Sequence, residues 1–101
     1  MIKHLIANNP IKSRDELTVG KTIWHVYGYY GASGIPTKET ITSEPYYEDN
    51  YWWFTTDTNP YEYPRSCGDC NIGSHHNSNY IFDNEADAIS YGQLVQERNV
   101  A

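Results

Sequence analysis

Apolar and polar positions alternate most clearly between Lys21 and Tyr30, where Ile23, His25 and Tyr27 interleave with Trp24 and Val26. A period of two in β-branched and aromatic residues predicts a strand. Gly31-Ala32-Ser33-Gly34 with Pro36 is turn chemistry. Thr37 to Ser43 alternates more weakly and is rich in Thr, which makes it the hairpin partner, ended by Glu44-Pro45. A second strand is predicted from Asn50 to Thr56, centred on Trp52-Trp53-Phe54. Successive side chains of a strand point to opposite faces, so these three aromatics cannot share one side. Either Trp53 faces inward with Trp52 and Phe54 outward, or the reverse. Residues 57–78 are broken by Pro60, Pro64 and Gly68 and read as a long loop, and Asn79 to Phe82 is a short final strand. Upstream, residues 1–10 read as an arm or short strand ending in the Asn8-Asn9-Pro10 turn, and Asp15 to Gly20 approaches a strand with a glycine turn.

The period changes near the C-terminus. Ala88, Tyr91, Leu94 and Val95 recur at helical spacing, flanked by Ala86, Ile89 and Val100, and predict a helix over residues 84–98. Asp83-Asn84 offers an N-cap, and Glu85 and Asp87 sit in the first turn, where the helix dipole favours acids. Gln93, Gln96, Glu97 and Arg98 take the polar side, and Gly92 weakens the helix slightly. The pattern predicts one α+β domain over residues 1–101. Its sheet is a small twisted antiparallel one, or an incomplete β-barrel, closed by the single C-terminal helix.

Composition sharpens this picture. Fifteen of the 101 residues are aromatic and the net charge is −6. Between Glu39 and Pro64 there is no Lys or Arg, while Glu39, Glu44, Glu48, Asp49, Asp57 and Glu62 fall there with eight aromatics. The rest of the chain balances at seven acids and seven bases, so this stretch carries the whole net charge. Such a balance disfavours nucleic-acid backbones and anionic membranes as partners. The N-terminus does not read as a signal peptide, and no apolar run approaches a membrane span. The chain reads as cytoplasmic, with its two cysteines reduced or bound to metal.

Cys67-Gly68-Asp69-Cys70 followed by His75-His76 is the one site-like constellation. Two thiolates on a tight turn and a later imidazole have zinc-ligand chemistry, with the other histidine, His25 or Asp69 as a fourth ligand. Adjacent histidines do not both turn readily toward one metal, and the alternative is a polar turn with two incidental cysteines. A redox role needs the Cys-x-x-Cys at the start of a helix, and its flanks here are loop. No nucleophile elbow or phosphate-cradling glycine loop is present, and Glu44, Glu48 and Asp49 read as solvated acids rather than a catalytic carboxylate pair. No enzymatic activity and no cofactor are therefore expected. Tyr27, Tyr29, Tyr30, Trp52 and Phe54 are the types that stack bases, but six acids compete with the few nearby cations.

Three blocks of residues carry a resemblance. They are Val-Gly-Lys-Thr-Ile-Trp-His-Val at 19–26, Ile-Thr-Ser-Glu-Pro-Tyr at 41–46, and Asn-Tyr-Ile-Phe-Asp-Asn-Glu-Ala-Asp-Ala-Ile-Ser-Tyr at 79–91. The layout resembles the small accessory proteins encoded by tailed bacteriophages. The resemblance implies a curled sheet or compact barrel with Gly20 turning, Phe82 plugging and Ala88 packing, and no catalytic residues. It also implies a non-enzymatic protein that acts early in infection and inhibits a host enzyme or an antiviral defence system. The Cys67 to His76 loop is a local variation on that layout, so the resemblance implies no metal site.

Acid mixed with aromatic is the chemistry of a surface for a basic, partly apolar partner. The expected partner is a bacterial host protein with a basic or nucleic-acid-binding surface, and a homodimer is compatible with the sequence. The expected partner-binding residues are Glu44, Tyr46, Tyr47, Glu48, Asp49, Trp52, Phe54, Asp57, Tyr61, Glu62 and Tyr63. The alternatives are a zinc-stabilised adaptor built on Cys67, Cys70 and His75 or His76, and a single-strand nucleic-acid module.

Overall fold

A computed structural model describes residues 5–58, 65, 66 and 79–100 of the chain. It is an α+β fold with six short strands: β1 (Thr22–Val26), β2 (Thr37–Thr40), β3 (Tyr46–Glu48), β4 (Tyr51–Phe54), β5 (Arg65–Ser66) and β6 (Tyr80–Phe82). A 3-10 turn at Arg14–Glu16 precedes them and the helix α1 (Glu85–Val100) follows. The strands form two three-stranded antiparallel sheets, ordered β2-β1-β6 and β3-β4-β5. Both orders are open, so among the described residues the sheet does not close into a barrel. The predicted hairpin of β1 with β2 is present, in the register Ile23 to Glu39 and His25 to Thr37.

β1 is central, and alternation divides its neighbours into two faces. Trp24 and Val26 lie beside Phe82 and Tyr80 across the β1–β6 pair. Helix α1 packs on that face through Ala88, Tyr91 and Val95, with Leu5 and Ala32 completing the cluster. Tyr80, Phe82 and Tyr91 meet ring to ring, with centroids 5.1 to 6.4 Å apart. The opposite face carries Ile23 and Ile81, which join Ile11, Leu17, Ile41 and Phe54 in a second cluster. The central sheet is thus buried on both sides, by the helix on one and by the N-terminal segment and β4 on the other.

The helix matches its predicted position, and Asn84 caps it by accepting from the Asp87 amide at 3.2 Å. Asp83 instead pairs with Lys21 at 3.6 Å. Two positions differ from the sequence reading. Leu94 is partly exposed, while Arg98 is only 9% exposed. The Arg98 guanidinium donates to the Tyr29 carbonyl at 2.9 Å and lies 5.2 Å from the centre of the Tyr30 ring. Arg98 follows Tyr91 and Val95 at helical spacing, so its stem continues the buried stripe while its head reaches a carbonyl. Gly92 is more than a weak helix position. A Cβ there would lie 1.9 Å from the Gly34 carbonyl oxygen, and Gly34 itself has φ +72°. The two glycines let the 31–36 turn and the helix touch backbone to backbone.

Where a strand is expected from Asp15, a 3-10 turn at Arg14–Glu16 stands instead, while the expected glycine turn is present at Gly20, with φ +90°. Ser13 Oγ accepts from the Asp15 amide at 3.2 Å, and the Glu16 carboxylate accepts from the Ser13 amide at 3.1 Å. This is a capping box, and reciprocal capping outweighs the weak alternation that follows it. Ile11 donates from its amide to the Ile81 carbonyl at 2.7 Å, which draws the N-terminal segment onto the β6 edge.

The two sheets meet at a corner. Ile41 bridges Thr56, and Thr42 donates to the Thr55 carbonyl at 2.9 Å. Below that corner Glu39, 1% exposed, accepts hydroxyl hydrogen bonds from Thr56 at 2.7 Å and Thr58 at 2.6 Å. His25 Nδ1, on the adjacent strand and also 1% exposed, lies 3.9 Å from the other Glu39 oxygen.

Gly92→Ala on an open helix face would gain up to about 1 kcal/mol. Here it should lose about 2 kcal/mol or more, read as a lower urea midpoint, because backbone atoms must move apart. An unchanged midpoint would refute the close approach. Thr56→Val keeps the shape but removes a donor to a buried carboxylate, and should cost about 1–3 kcal/mol. Thr42→Val, at an exposed hydroxyl, should stay within about 0.5 kcal/mol. Burial lifts the Tyr80 phenol above its ordinary value of 10.0. The fold holds the neutral form, so that stabilisation is whole below the ordinary value and is lost as pH rises through the lifted one. Chemical denaturation on either side of that value should show Tyr80→Phe to be less alkali-sensitive than wild type.

Candidate functional site

β3 and β4 form a hairpin closed by Asp49 and Asn50, whose φ angles are +53° and +70°. Two successive positive φ values define the turn that suits the right-handed strand twist, and Asp and Asn tolerate that conformation best after glycine. Residues 44–49, which the sequence reading places between two of its predicted strands, are therefore largely a strand and the start of its turn. The hairpin register places Tyr47 opposite Trp52 and Tyr46 opposite Trp53. Trp53 donates its indole N–H to the Glu48 carbonyl at 2.8 Å, locking the hairpin's other face.

Alternation on β4 resolves one way. Trp52 and Phe54 face the central sheet and Trp53 faces away. Phe54 is fully buried in the second core cluster, and Trp52 is half-buried against it. Phe54, expected to contact a partner, is a core residue. The reason is geometric: the helix covers only the other face of β1, and Phe54 fills the space left over Ile23 and Ile81. Phe54 is equally unable to stack a base. Tyr47 stands at the opposite extreme, 61% exposed, with its ring 5.6 Å from the Trp52 ring in an edge-to-face contact.

The acids also divide. Glu44, Glu48 and Asp49 are exposed, Glu44 before β3 and the other two at the hairpin tip. Asp57 is exposed but has a structural bond, since its carboxylate accepts from the Thr40 amide at 2.9 Å at the corner between the sheets. It is not a free steering charge. Glu39 is buried and adds nothing to the surface. Tyr61, Glu62, Tyr63, Cys67, Cys70, His75 and His76 lie outside the described residues. His25, a possible fourth metal ligand in the sequence reading, is buried beside Glu39. Among the described residues no three His, Cys, Asp or Glu side chains converge on a common point.

Beside the hairpin lies a cleft of about 380 Å³ between β4 and the 3-10 turn. Leu17 and the Trp52 ring line its apolar side, Arg14, Asp15 and Thr18 one wall, and Glu44 and Pro45 the other. The Arg14 guanidinium carbon sits 4.2 Å from the Trp52 ring centre. Of the five lining residues that sequence reasoning missed here, Arg14 and Asp15 come from the capping-box turn. The Ser13-x-x-Glu16 spacing marked that turn, but nothing local says which strand it will face. Among the described side chains, the hairpin and the cleft together make one acidic, aromatic face with the Arg14 cation seated in it.

Among the described residues no helix is long and apolar enough to cross a membrane. Neither the curated proteins nor the solved structures gave a match to the chain. The family model described as phage g100-like protein matches residues 11–95, in line with the resemblance to phage proteins read from the sequence blocks, and the chain belongs to that family.

Proposed function

We propose that this phage protein is a non-enzymatic binder that occupies and inhibits a bacterial host or antiviral-defence protein, in the host cytoplasm and without a cofactor. The face it uses is the β3–β4 hairpin. Tyr47 is the anchor, and Glu44, Glu48 and Asp49 draw in a basic or nucleic-acid-binding surface. The observation that carries this reading is the exposure of Tyr47, at 61%, between acids in a stretch with no Lys or Arg. A large aromatic ring left in water beside carboxylates that form no ion pair among the described residues contributes little to folding and is the residue type that dominates binding energy at interfaces. The carboxylates would act mainly on encounter rate and on the choice of partner. Tyr46, half-buried on the outer face, and Trp52, at the cleft, support the edge of that surface.

Affinity capture from bacterial lysate, followed by binding kinetics with the captured protein, tests the proposal. Tyr47→Ala should weaken the complex by about 2 kcal/mol, mostly through faster dissociation. The tip variant Glu48→Lys/Asp49→Lys should slow association about tenfold or more at low salt, and less at high salt. Tyr47→Ala should melt close to wild type because its ring is exposed, whereas Asp49→Lys loses some stability at a positive φ, so dispersed amide spectra are the check that the tip variant keeps its fold. Identical capture by wild type and both variants would sink the proposal. So would retention of an oligonucleotide instead of a protein.

A further inference from the structure

Among the described residues Arg14 makes no ion pair, and the Trp52 ring is what seats its guanidinium. Asp15 and Glu44 line the same cleft, both exposed, and neither is ion-paired among the described residues. A π-face flanked by two carboxylates is the group set that recognises a guanidinium. The ring attracts its flat face, and the carboxylates accept from the N–H groups on its edge. Arg14 shows the first half of that recognition inside the chain, since its guanidinium already lies on the ring.

We propose that the cleft receives one arginine side chain of the partner, and that Arg14 is an internal stand-in displaced when that arginine enters. The inference rests on the reading of a basic partner and locates where one of its charges goes. In the proposed exchange the ring contact is passed from one guanidinium to another. Arg14 is exposed and returns to water, and the incoming guanidinium regains the ring contact and adds bonds to Asp15 and Glu44. Arginine suits the cleft better than lysine because its planar fork can stack and bond a carboxylate at once. An anion is disfavoured, because the two carboxylates outnumber the one guanidinium.

The test follows the Trp52 indole N–H by nuclear magnetic resonance, assigned with Trp52→Phe, while N-acetylargininamide is added to the whole chain. N-acetylglutamine amide and acetate are the neutral and anionic comparisons. The arginine probe should shift the signal saturably, and neither comparison should. Arg14→Gln should tighten the arginine probe about two- to fivefold, the worth of the contact it no longer has to displace. Lys38→Gln changes net charge equally at an exposed site on β2, outside the cleft, and should change nothing. Asp15→Asn should weaken the probe about threefold or more. Dispersed amide spectra for each variant show that the fold is kept. The proposal is overturned by a non-saturable shift, by saturation with acetate, by equal effects of Arg14→Gln and Lys38→Gln, or by weaker binding to Arg14→Gln. If Tyr47→Ala and the tip variant lose the host protein while Asp15→Asn keeps it at full affinity, the binding face stands and the arginine cleft fails.

Discussion

The fold depends on β1 being buried on both faces. A strand in that position can accept a polar side chain only if the side chain finds a partner, and His25 and Glu39 sit there together across the β1–β2 pair. Glu39 reaches further, taking hydroxyl hydrogen bonds from Thr56 and Thr58 at the end of the second sheet. A buried carboxylate is costly unless hydrogen-bonded, so the second sheet is held to the corner where its threonines can satisfy Glu39. The apolar cluster under Phe54 makes the layers adhere, while the carboxylate with its threonines sets where they meet.

That docking determines what the outer hairpin presents. With Thr56 at the corner, β4 enters the core at Phe54 and leaves it at Trp52, whose inner edge is covered. Two residues further out Trp52 is only half-buried, so the hairpin is less covered there than at Phe54. Tyr47 therefore projects into water beside a half-covered tryptophan. The 3-10 turn, tied by its capping box and followed by the buried Leu17, stands across from the same tryptophan and forms the cleft. The acidic face is thus a consequence of how the outer hairpin packs over the central sheet.

Much of the fold was legible locally. Strand alternation marked β1 and its hairpin with β2, helical spacing marked α1, and Asn84 announced its cap. Charge was the poorest guide. By sequence Glu39 counts in the acidic stretch, Asp57 among the partner-binding acids and Arg98 on the polar side of the helix, yet Glu39 and Arg98 are buried and Asp57 bonds a neighbouring strand. A charged side chain is placed inside by partners distant in sequence, such as Thr56 for Glu39 or the Tyr29 carbonyl for Arg98, and no local pattern records them. The turn at Asp49-Asn50 and the Ser13–Glu16 box were both written in the sequence, but Asn50 read as the start of a strand and Asp15 to Gly20 as an approach to one.

The candidate site divides along the same line. The sequence by itself determined that an acidic, aromatic stretch without a cation exists, and that Trp52 and Phe54 must share a side opposite Trp53, because alternation along a strand is a local steric fact. Which side faces the core was decided only in three dimensions, by the helix occupying the other face of β1 and leaving Phe54 the remaining space. The seating of Arg14 on Trp52 was likewise decided there, since a contact between two separate elements depends on how the layers pack and not on the order of residues along the chain.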